Sequence, residues 1–182
     1  MKKHVVRIVF AGICLFTLST TPLFAGGFLV NQLSGKCIDV AGAPGTQNGS
    51  ALQLWDCEFS GNLDNGSRSD QIWEMTSGGF IRNRLSGKCI DVAGAPGKQN
   101  GARLQLWDCE LSGINPDNGS KTDQRWYFSG GFIRNRLSGK CIDVAGAPGR
   151  VNKAPLQIWN CERSGINPDN NSLTDQKWGW TN

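Results

Sequence analysis

Residues 78–97 read GGFIRNRLSGKCIDVAGAPG, and the same stretch recurs letter for letter at residues 130–149. A looser copy, GGFLVNQLSGKCIDVAGAPG, occupies residues 26–45, so the repeat period is 52 residues. A unit of this length cannot bury its own apolar face and needs its neighbours to complete a core. The sequence therefore predicts one domain of three repeats, at residues 26–77, 78–129 and 130–182. Any site in one repeat is expected up to three times.

The first 25 residues lie outside the repeats. Lys2, Lys3 and Arg7 precede an apolar run that ends at Leu18, and Ala25 offers a processing site. This layout predicts a secretory signal peptide over residues 1–25, and the run is too short to favour a membrane span. We therefore expect a secreted, extracellular protein, or a periplasmic one if a Gram-negative host retains it.

Removing this segment changes the charge of the chain. The whole sequence has 19 Lys and Arg against 15 Asp and Glu, and the segment takes with it three basic residues and the one histidine. The remaining charge of +1 gives no electrostatic basis for binding nucleic acid. Without histidine, the usual Ser–His and Cys–His nucleophile systems are also excluded.

Six cysteines remain, two in each repeat and always 20 residues apart. In an exported chain an even number of cysteines indicates disulfides, and the equal spacing favours pairing within each repeat. The expected pairs are Cys37–Cys57, Cys89–Cys109 and Cys141–Cys161. Zinc ligands are usually closer together and include histidine, so no metal and no cofactor is predicted.

Each repeat contains four short strand signals separated by turns. In the second repeat they are FIR at residues 80–82, CIDV at 89–92, LQLW at 104–107 and QRWYF at 124–128. No segment shows sustained helical periodicity. Four strands in three copies predict an all-β fold, a β-trefoil of twelve strands with pseudo-threefold symmetry. A three-bladed propeller would fall below the usual minimum of four blades.

Alternation within these strands predicts which side chains point away from the core. In LQLW, Leu52 and Leu54 share one face while Gln53 and Trp55 share the other, and in CIDV Asp39 faces away from its apolar neighbours. The pattern alone leaves two interpretations of Trp55, as a side chain packed under a loop or as part of a site. A carboxylate, an amide and an indole together favour a sugar site, because sugar rings stack on aromatic faces and their hydroxyls donate to carboxylates.

The chain resembles the ricin B-type lectins, which are β-trefoil carbohydrate-binding modules. The resemblance rests on CIDV, on LQLWDC (LQIWNC in the third repeat) and on a Gln-x-Trp triplet at residues 71–73, 124–126 and 176–178. It covers essentially all of the chain after the predicted signal peptide. It implies one shallow sugar pocket per repeat, within-repeat disulfides, and a core position for the triplet tryptophans Trp73, Trp126 and Trp178.

The resemblance also implies five roles in each pocket. They are a carboxylate that binds hydroxyls, a glutamine that supports it, a stacking tryptophan, an aspartate that closes the pocket, and a second glutamine beside that aspartate. In this order the residues are Asp39, Gln53, Trp55, Asp70 and Gln71 in the first repeat, Asp91, Gln105, Trp107, Asp123 and Gln124 in the second, and Asp143, Gln157, Trp159, Asp175 and Gln176 in the third.

The implied ligands are galactose-type sugars or plant polysaccharides such as xylan, bound with avidity and without catalysis. The recurring carboxylate pair, Asp39 with Asp70, would suit glycoside hydrolysis, but a shallow pocket does not readily raise the pKa of one acid. The alternative is a glycan- or protein-docking subunit of a toxin or hydrolase complex. A protease inhibitor is less favoured, because an inhibitor generally needs one distinctive loop.

The chain departs from the family pattern before each triplet. The family often has Asn there, whereas this chain has Asp every time, and two carboxylates in one pocket repel each other. The loop before the triplet is also long, with 13 residues after Cys57 and 14 in the other two repeats. In the second repeat the spacings of four oxygen donors suit calcium, namely Asp117, Asn118, Ser120 and Asp123. These residue types are expected in any polar turn, which is the favoured interpretation.

The third repeat differs most from the others. Gln-Asn-Gly at residues 47–49 and 99–101 becomes Val151-Asn152-Lys153, Pro155 follows, and Asn160 replaces the Asp beside the tryptophan. If the glycine position requires a positive φ, lysine there costs about 1 kcal/mol. The sequence therefore predicts unequal sites, with the third site weakened or altered.

Overall fold

The computed structural model describes residues 26–42, 44–62, 65–94, 96–146 and 149–181. The predicted signal peptide lies outside these residues. Twelve strands form the described part of the chain. They are β1 Gly27–Asn31, β2 Cys37–Val40, β3 Leu52–Trp55, β4 Ile72–Met75, β5 Ile81–Asn83, β6 Cys89–Val92, β7 Leu104–Trp107, β8 Trp126–Ser129, β9 Phe132–Asn135, β10 Cys141–Val144, β11 Leu156–Trp159 and β12 Trp178–Thr181. No helix in this part is long and apolar enough to cross a membrane.

Six strands, the first and last of each repeat, form a closed barrel. β1 pairs with both β4 and β12, β4 pairs with β5, and β8 pairs with β9, all antiparallel. Single bridges, Phe80 with Arg125 and Phe132 with Lys177, join the remaining neighbours. Closure leaves no free barrel edge, so each repeat depends on the other two.

The other six strands form three hairpins with one shared register. In β2–β3, Cys37 lies opposite Trp55 and Asp39 lies opposite Gln53, and the pairs β6–β7 and β10–β11 repeat this register. A barrel with one such hairpin per repeat confirms the predicted β-trefoil of twelve strands. The shared register also places a carboxylate beside an amide three times.

The hairpins are joined in a cycle by hydrogen bonds from one repeat to the next. The Gly49 N–H donates to the Leu106 carbonyl at 2.8 Å, and the Gly101 N–H donates to the Ile158 carbonyl at 2.9 Å. The Lys153 N–H closes the cycle by donating to the Leu54 carbonyl at 2.8 Å. The turn of each repeat therefore lies against the hairpin of the following repeat, and the third repeat returns to the first.

The triplet tryptophans occupy the core, as predicted. Trp73, Trp126 and Trp178 are buried, and each indole N–H donates to the carbonyl of a core isoleucine, at 3.0–3.1 Å. Pairing these donors is necessary because an unsatisfied buried indole N–H costs free energy. The leucines of β3 and β7 are buried on the same side, which confirms the predicted alternation.

Disulfides join Cys37 to Cys57, Cys89 to Cys109 and Cys141 to Cys161, the pairs expected from the spacing. Each links the first residue of a hairpin to a residue just beyond its second strand, with Cα atoms 5.1 Å apart. A bridge over this separation contributes about 3 kcal/mol through loop-closure entropy. The disulfide therefore holds together the two strands that carry the predicted site.

The fourth strand of the second repeat begins later than the sequence predicts. It starts at Trp126, because the buried Gln124 side chain turns towards the hairpin and donates to Asp91. Arg125 makes only the single bridge to Phe80. The two residues therefore connect the barrel to the site and do not extend β8.

Candidate functional site

The centre of each site is a carboxylate, a glutamine and a tryptophan on one hairpin. Gln53 donates to Asp39 Oδ2 at 2.7 Å, and the corresponding bonds in the second and third repeats are also 2.7 Å long. Trp55 is half-buried beside them, as are Trp107 and Trp159. Each indole is thus partly buried and partly accessible, as stacking on a ligand requires.

Cavities lie over two of these centres. One of about 320 Å³ is lined by Asp39, Gln53 and Trp55, and one of about 180 Å³ is lined by Asp143, Gln157 and Trp159. The structure therefore brings together the three residue types that the sequence grouped. Both cavities are small and open to solvent, which suits a single sugar ring.

The aspartate and glutamine before each triplet tryptophan lie beneath the cavities and do not close them. Asp70 and Gln71 are buried, and neither lines the cavity over Asp39. Asp123 and Gln124, and Asp175 and Gln176, are buried in the same way. The resemblance implied that the aspartate closes the pocket with the glutamine nearby. In the structure their side chains are instead directed into the hairpin and the loop beneath it.

Gln71 positions the carboxylate from below. Its Nε2 donates to Asp39 Oδ1 at 3.1 Å and to the Asp56 carbonyl at 3.0 Å. Its Oε1 accepts from the Glu58 N–H at 2.9 Å. With Gln53 on the other oxygen, Asp39 is held by two amides, so its orientation is determined before any ligand arrives.

Asp70 positions the loop at the cavity edge. Its Oδ2 accepts a hydrogen bond from the Gly45 N–H at 2.7 Å, and Asp123 and Asp175 accept from Gly97 and Gly149 at 2.8 and 3.0 Å. A Cβ at Gly45 would lie only 2.4 Å from Val40, so the close approach requires glycine. The aspartate thus holds the AGAPG turn against the strand that carries Asp39.

The paired carboxyl groups titrate unusually. Burial raises the pKa of Asp70, Asp91 and Asp143 to about 7, and the neighbouring carboxylate of each pair adds to the increase. Burial also raises the pKa of their partners Asp39, Asp123 and Asp175. A proton retained near neutral pH relieves the repulsion expected from the sequence.

Sequence reasoning missed several cavity residues on the long loop. Glu58 and Asn62 line the first cavity, and Glu162, Asn167 and Asp169 line the third. The available signal was the unusual loop length, together with the Glu that follows each second cysteine. The long loop therefore borders the pocket.

The same loop in the second repeat forms hydrogen-bonded turns. Asn115 Oδ1 accepts from the Asp117 N–H at 2.9 Å, and Asn118 Oδ1 accepts from the Ser120 N–H at 2.8 Å. These contacts agree with the polar-turn interpretation of the loop. Among the described residues, no group of three or more His, Cys, Asp or Glu side chains has a metal-binding arrangement.

Lys153, which the sequence associates with the third site, lies at the first site. Its φ of 70° matches the 83° of Gly49 and Gly101, so the position does require a positive φ. However, its Nζ lies 5.7 Å from the centroid of the Trp55 ring. The third site is bordered by Gly101, where an added Cβ would be 3.7 Å from Trp159.

Asn160 keeps the lysine hydrogen bond of the aspartate that it replaces, whereas Asp56 and Asp108 also form an ion pair and accept from Asn152 and Asn48. Lys140 Nζ donates to Asn160 and to Asn100 of the preceding repeat, both at 2.6 Å. Lys36 makes the equivalent pair of bonds to Asp56 and Asn152. The substitution therefore leaves this link between repeats in place.

The sequence profile of the ricin-type beta-trefoil lectin domain matches residues 25–178. The chain is 32% identical over 159 residues to the galactose/N-acetylgalactosamine-binding lectin CEL-III of Pseudocnus echinatus, covering 80% of this chain and 30% of that protein. The crystal structure of hemolytic lectin CEL-III superposes with a TM-score of 0.59 at 27% identity, covering 86% of this chain and 30% of that one.

Two further structures are similar. An exo-beta-1,3-galactanase from Clostridium thermocellum gives a TM-score of 0.61 at 27% identity, covering 88% of this chain and 30% of that one. The designed threefold-symmetric protein ThreeFoil gives 0.61 at 24% identity, covering 86% and 98%. This chain thus spans about 30% of the lectin and of the galactanase. With its three repeats, closed barrel and matching profile, the chain belongs to the ricin-type beta-trefoil lectin domain family.

Proposed function

We propose that this domain is a secreted, non-catalytic lectin that binds galactose-type sugars through up to three shallow pockets. One observation carries the proposal. In every repeat a half-buried indole lies on the same hairpin as a buried carboxylate that one glutamine supports at 2.7 Å.

The binding mode follows from the lone pairs that remain free on the carboxylate. Asp39 uses one lone pair on each oxygen for Gln53 and Gln71, so each oxygen can still accept from a sugar hydroxyl. The C–H face of the ring packs on Trp55, which excludes water from these bonds. The axial hydroxyl of a galactose-type ring leaves one face rich in C–H groups. The relative CEL-III is a galactose/N-acetylgalactosamine-binding lectin, which supports this choice over xylan.

The geometry argues against glycoside hydrolysis at the recurring carboxylate pair. Asp70 is 1% exposed and is bonded to the Gly45 N–H. A general acid or nucleophile must reach the glycosidic bond, and a group beneath the cavity floor does not. The pair is therefore assigned to binding and positioning.

Export is supported by the three disulfides and by the predicted signal peptide. A second role, as the docking subunit of a toxin or hydrolase complex, is favoured by the two relatives. The matched region is 30% of a hemolytic lectin and of a galactanase, so similar domains occur beside other functional parts. A pull-down from culture supernatant, with and without competing galactose, separates a protein partner from a glycan.

A glycan array with matched variants tests the main proposal. Replacing Trp55, Trp107 and Trp159 together by Ala is expected to abolish binding and to leave the circular dichroism spectrum unchanged. Leu111→Ala is the control, because this side chain is 69% exposed and does not line either cavity described above. Binding by the triple variant at the wild-type level would refute the proposed site, as would an array that shows no galactose-type ligand.

A further inference from the structure

The first pocket differs in charge from the third. Lys153 of the third repeat lines the first cavity together with Trp55 and Asp39. The third cavity has no cation among its described lining residues. The first pocket is therefore bordered by a lysine at the position where the third is bordered by Gly101.

Lys153 is held at the rim by its backbone, and its ammonium is available. The N–H donates to the Leu54 carbonyl at 2.8 Å, which anchors the residue beside β3. The three salt bridges among the described residues do not include its side chain. Its side chain contacts the Trp55 ring, with Nζ 5.7 Å from the centroid.

The lysine occupies a backbone conformation that favours glycine. Gly49 and Gly101 have φ of 83° at the equivalent positions, and the second and third pockets are consequently bordered by glycine. The folded state tolerates a lysine in this disfavoured conformation at the turn beside the indole that is proposed to face the ligand. Strained residues of this kind are concentrated at functional positions.

We propose that Lys153 makes the first pocket selective for a galactose-type sugar with an anionic substituent, such as a carboxylate or a sulfate. This inference rests on the proposed lectin function. Asp39 binds the ring hydroxyls and Trp55 stacks on the C–H face, so the exocyclic substituent shares the cavity with the Lys153 ammonium. The larger cavity, about 320 Å³ against about 180 Å³ in the third repeat, accommodates that substituent.

The test uses chains with one intact pocket and two sugars that differ only at C6. Trp107→Ala with Trp159→Ala leaves the first pocket, and Trp55→Ala with Trp159→Ala leaves the second. Titration calorimetry with methyl galactoside and methyl galacturonide then measures each pocket separately. The first pocket is expected to bind the galacturonide about fivefold more tightly, the upper end for an exposed ion pair, and the second to show no such preference.

Two substitutions of Lys153 separate charge from bulk. Lys153→Gly restores the residue of the other repeats, and Lys153→Gln keeps a side chain at the same φ without charge. Both are expected to remove the preference in the first-pocket chain, and about 1 M salt should remove it in the unsubstituted chain.

The remaining outcomes overturn the proposal. One is an unchanged preference for the galacturonide in Lys153→Gly. Another is an equal gain in affinity for both sugars in that variant, which would show that lysine obstructs the pocket. The third is a first pocket that binds neither sugar while the second binds the galactoside. If neither pocket binds either sugar, the proposed lectin function fails as well.

Discussion

At the residue scale, the central feature is a carboxylate held by two amides. Gln53 lies on the cavity wall and Gln71 lies beneath it, yet both donate to Asp39. The two glutamines therefore differ in what their loss would do. Gln71 also joins Glu58 and Asp56 to the hairpin, whereas Gln53 is only part-buried.

We expect Gln71→Ala to destabilise the protein by about 1–3 kcal/mol, because it leaves the buried Glu58 N–H and Asp56 carbonyl without their partner. Gln53→Ala should cost less than about 1 kcal/mol. Both should weaken the first pocket, measured in the chain with Trp107→Ala and Trp159→Ala. Urea unfolding and galactoside titration provide the two readouts. Equal stability losses for the two variants would contradict the distinction between Gln71, which supports the carboxylate from beneath the cavity, and Gln53, which lines the cavity wall.

At the element scale, each hairpin combines a disulfide with a turn at positive φ. The disulfide joins the ends of the two site strands, and the turn passes to the hairpin of the next repeat. Local geometry within a hairpin and contact between hairpins are thus controlled by different residues. Each can be tested without altering the pocket side chains.

The mature secreted protein is expected to contain three disulfides and no free thiol. Replacing Cys89 and Cys109 together by Ser should lower stability by about 2–4 kcal/mol through greater freedom of the unfolded chain. Alkylation followed by intact-mass measurement checks the thiols, and thermal unfolding checks the loss. A single reactive thiol in the native protein would contradict the first expectation.

Exchanging glycine and lysine between turns should have opposite effects on stability. Lys153→Gly relieves a side chain at φ 70° and is expected to stabilise by about 1 kcal/mol, while Gly49→Lys at φ 83° should destabilise by a similar amount. Chemical unfolding of the two variants and of the double exchange provides the measurement. Destabilisation by Lys153→Gly would show that the Trp55 contact outweighs the backbone strain.

At the scale of the whole molecule, three buried carboxyl pairs surround one barrel. Their raised pKa values mean that folding favours the protonated form. Because the folded pKa is about 7 and the ordinary value is 3.8, the contribution of these pairs to stability is fully present below about pH 4. It is lost as the pH rises through about 7.

We therefore expect the triple variant Asp70→Asn, Asp123→Asn, Asp175→Asn to be more stable than the unsubstituted protein at pH 8, by more than about 1 kcal/mol. Asn retains an oxygen for the Gly45, Gly97 and Gly149 N–H groups. The advantage should shrink at pH 5. Exposed Asp56 and Asp108, whose pKa values are lowered by hydrogen bonds from Lys36 and Lys88, are common to both proteins and cancel. An advantage that grows on acidification would reverse the sign of this prediction.

Three weak sites in one rigid domain are expected to act through avidity. Asp39→Ala, Asp91→Ala and Asp143→Ala, made singly, should each lower retention on a galactose-coated surface much more than one third. Monovalent galactoside affinity at the remaining pockets should stay unchanged. Surface plasmon resonance at high and low glycan density distinguishes lost avidity from lost affinity at a single site. A loss of retention of only one third at high density would show that the sites bind independently.

The sequence by itself determined the repeats, the strand positions, the cysteine pairs and the core tryptophans. These follow from local patterns, such as the alternation of Leu52 with Gln53, and from identical spacing in three copies, except for the core tryptophans, which the family resemblance implied. It also grouped Asp39, Gln53 and Trp55, because alternation directs all three away from the apolar face.

Only the tertiary structure decided which repeat completes which pocket. Lys153 is 98 residues after Trp55 in the chain, yet lies against it because barrel closure brings the third hairpin beside the first. The burial of Asp70 beneath the cavity likewise depends on its bond to Gly45. The first arrangement results from contacts between repeats, and the second from a hydrogen bond between segments 25 residues apart in one repeat, which the alternation within a strand does not record.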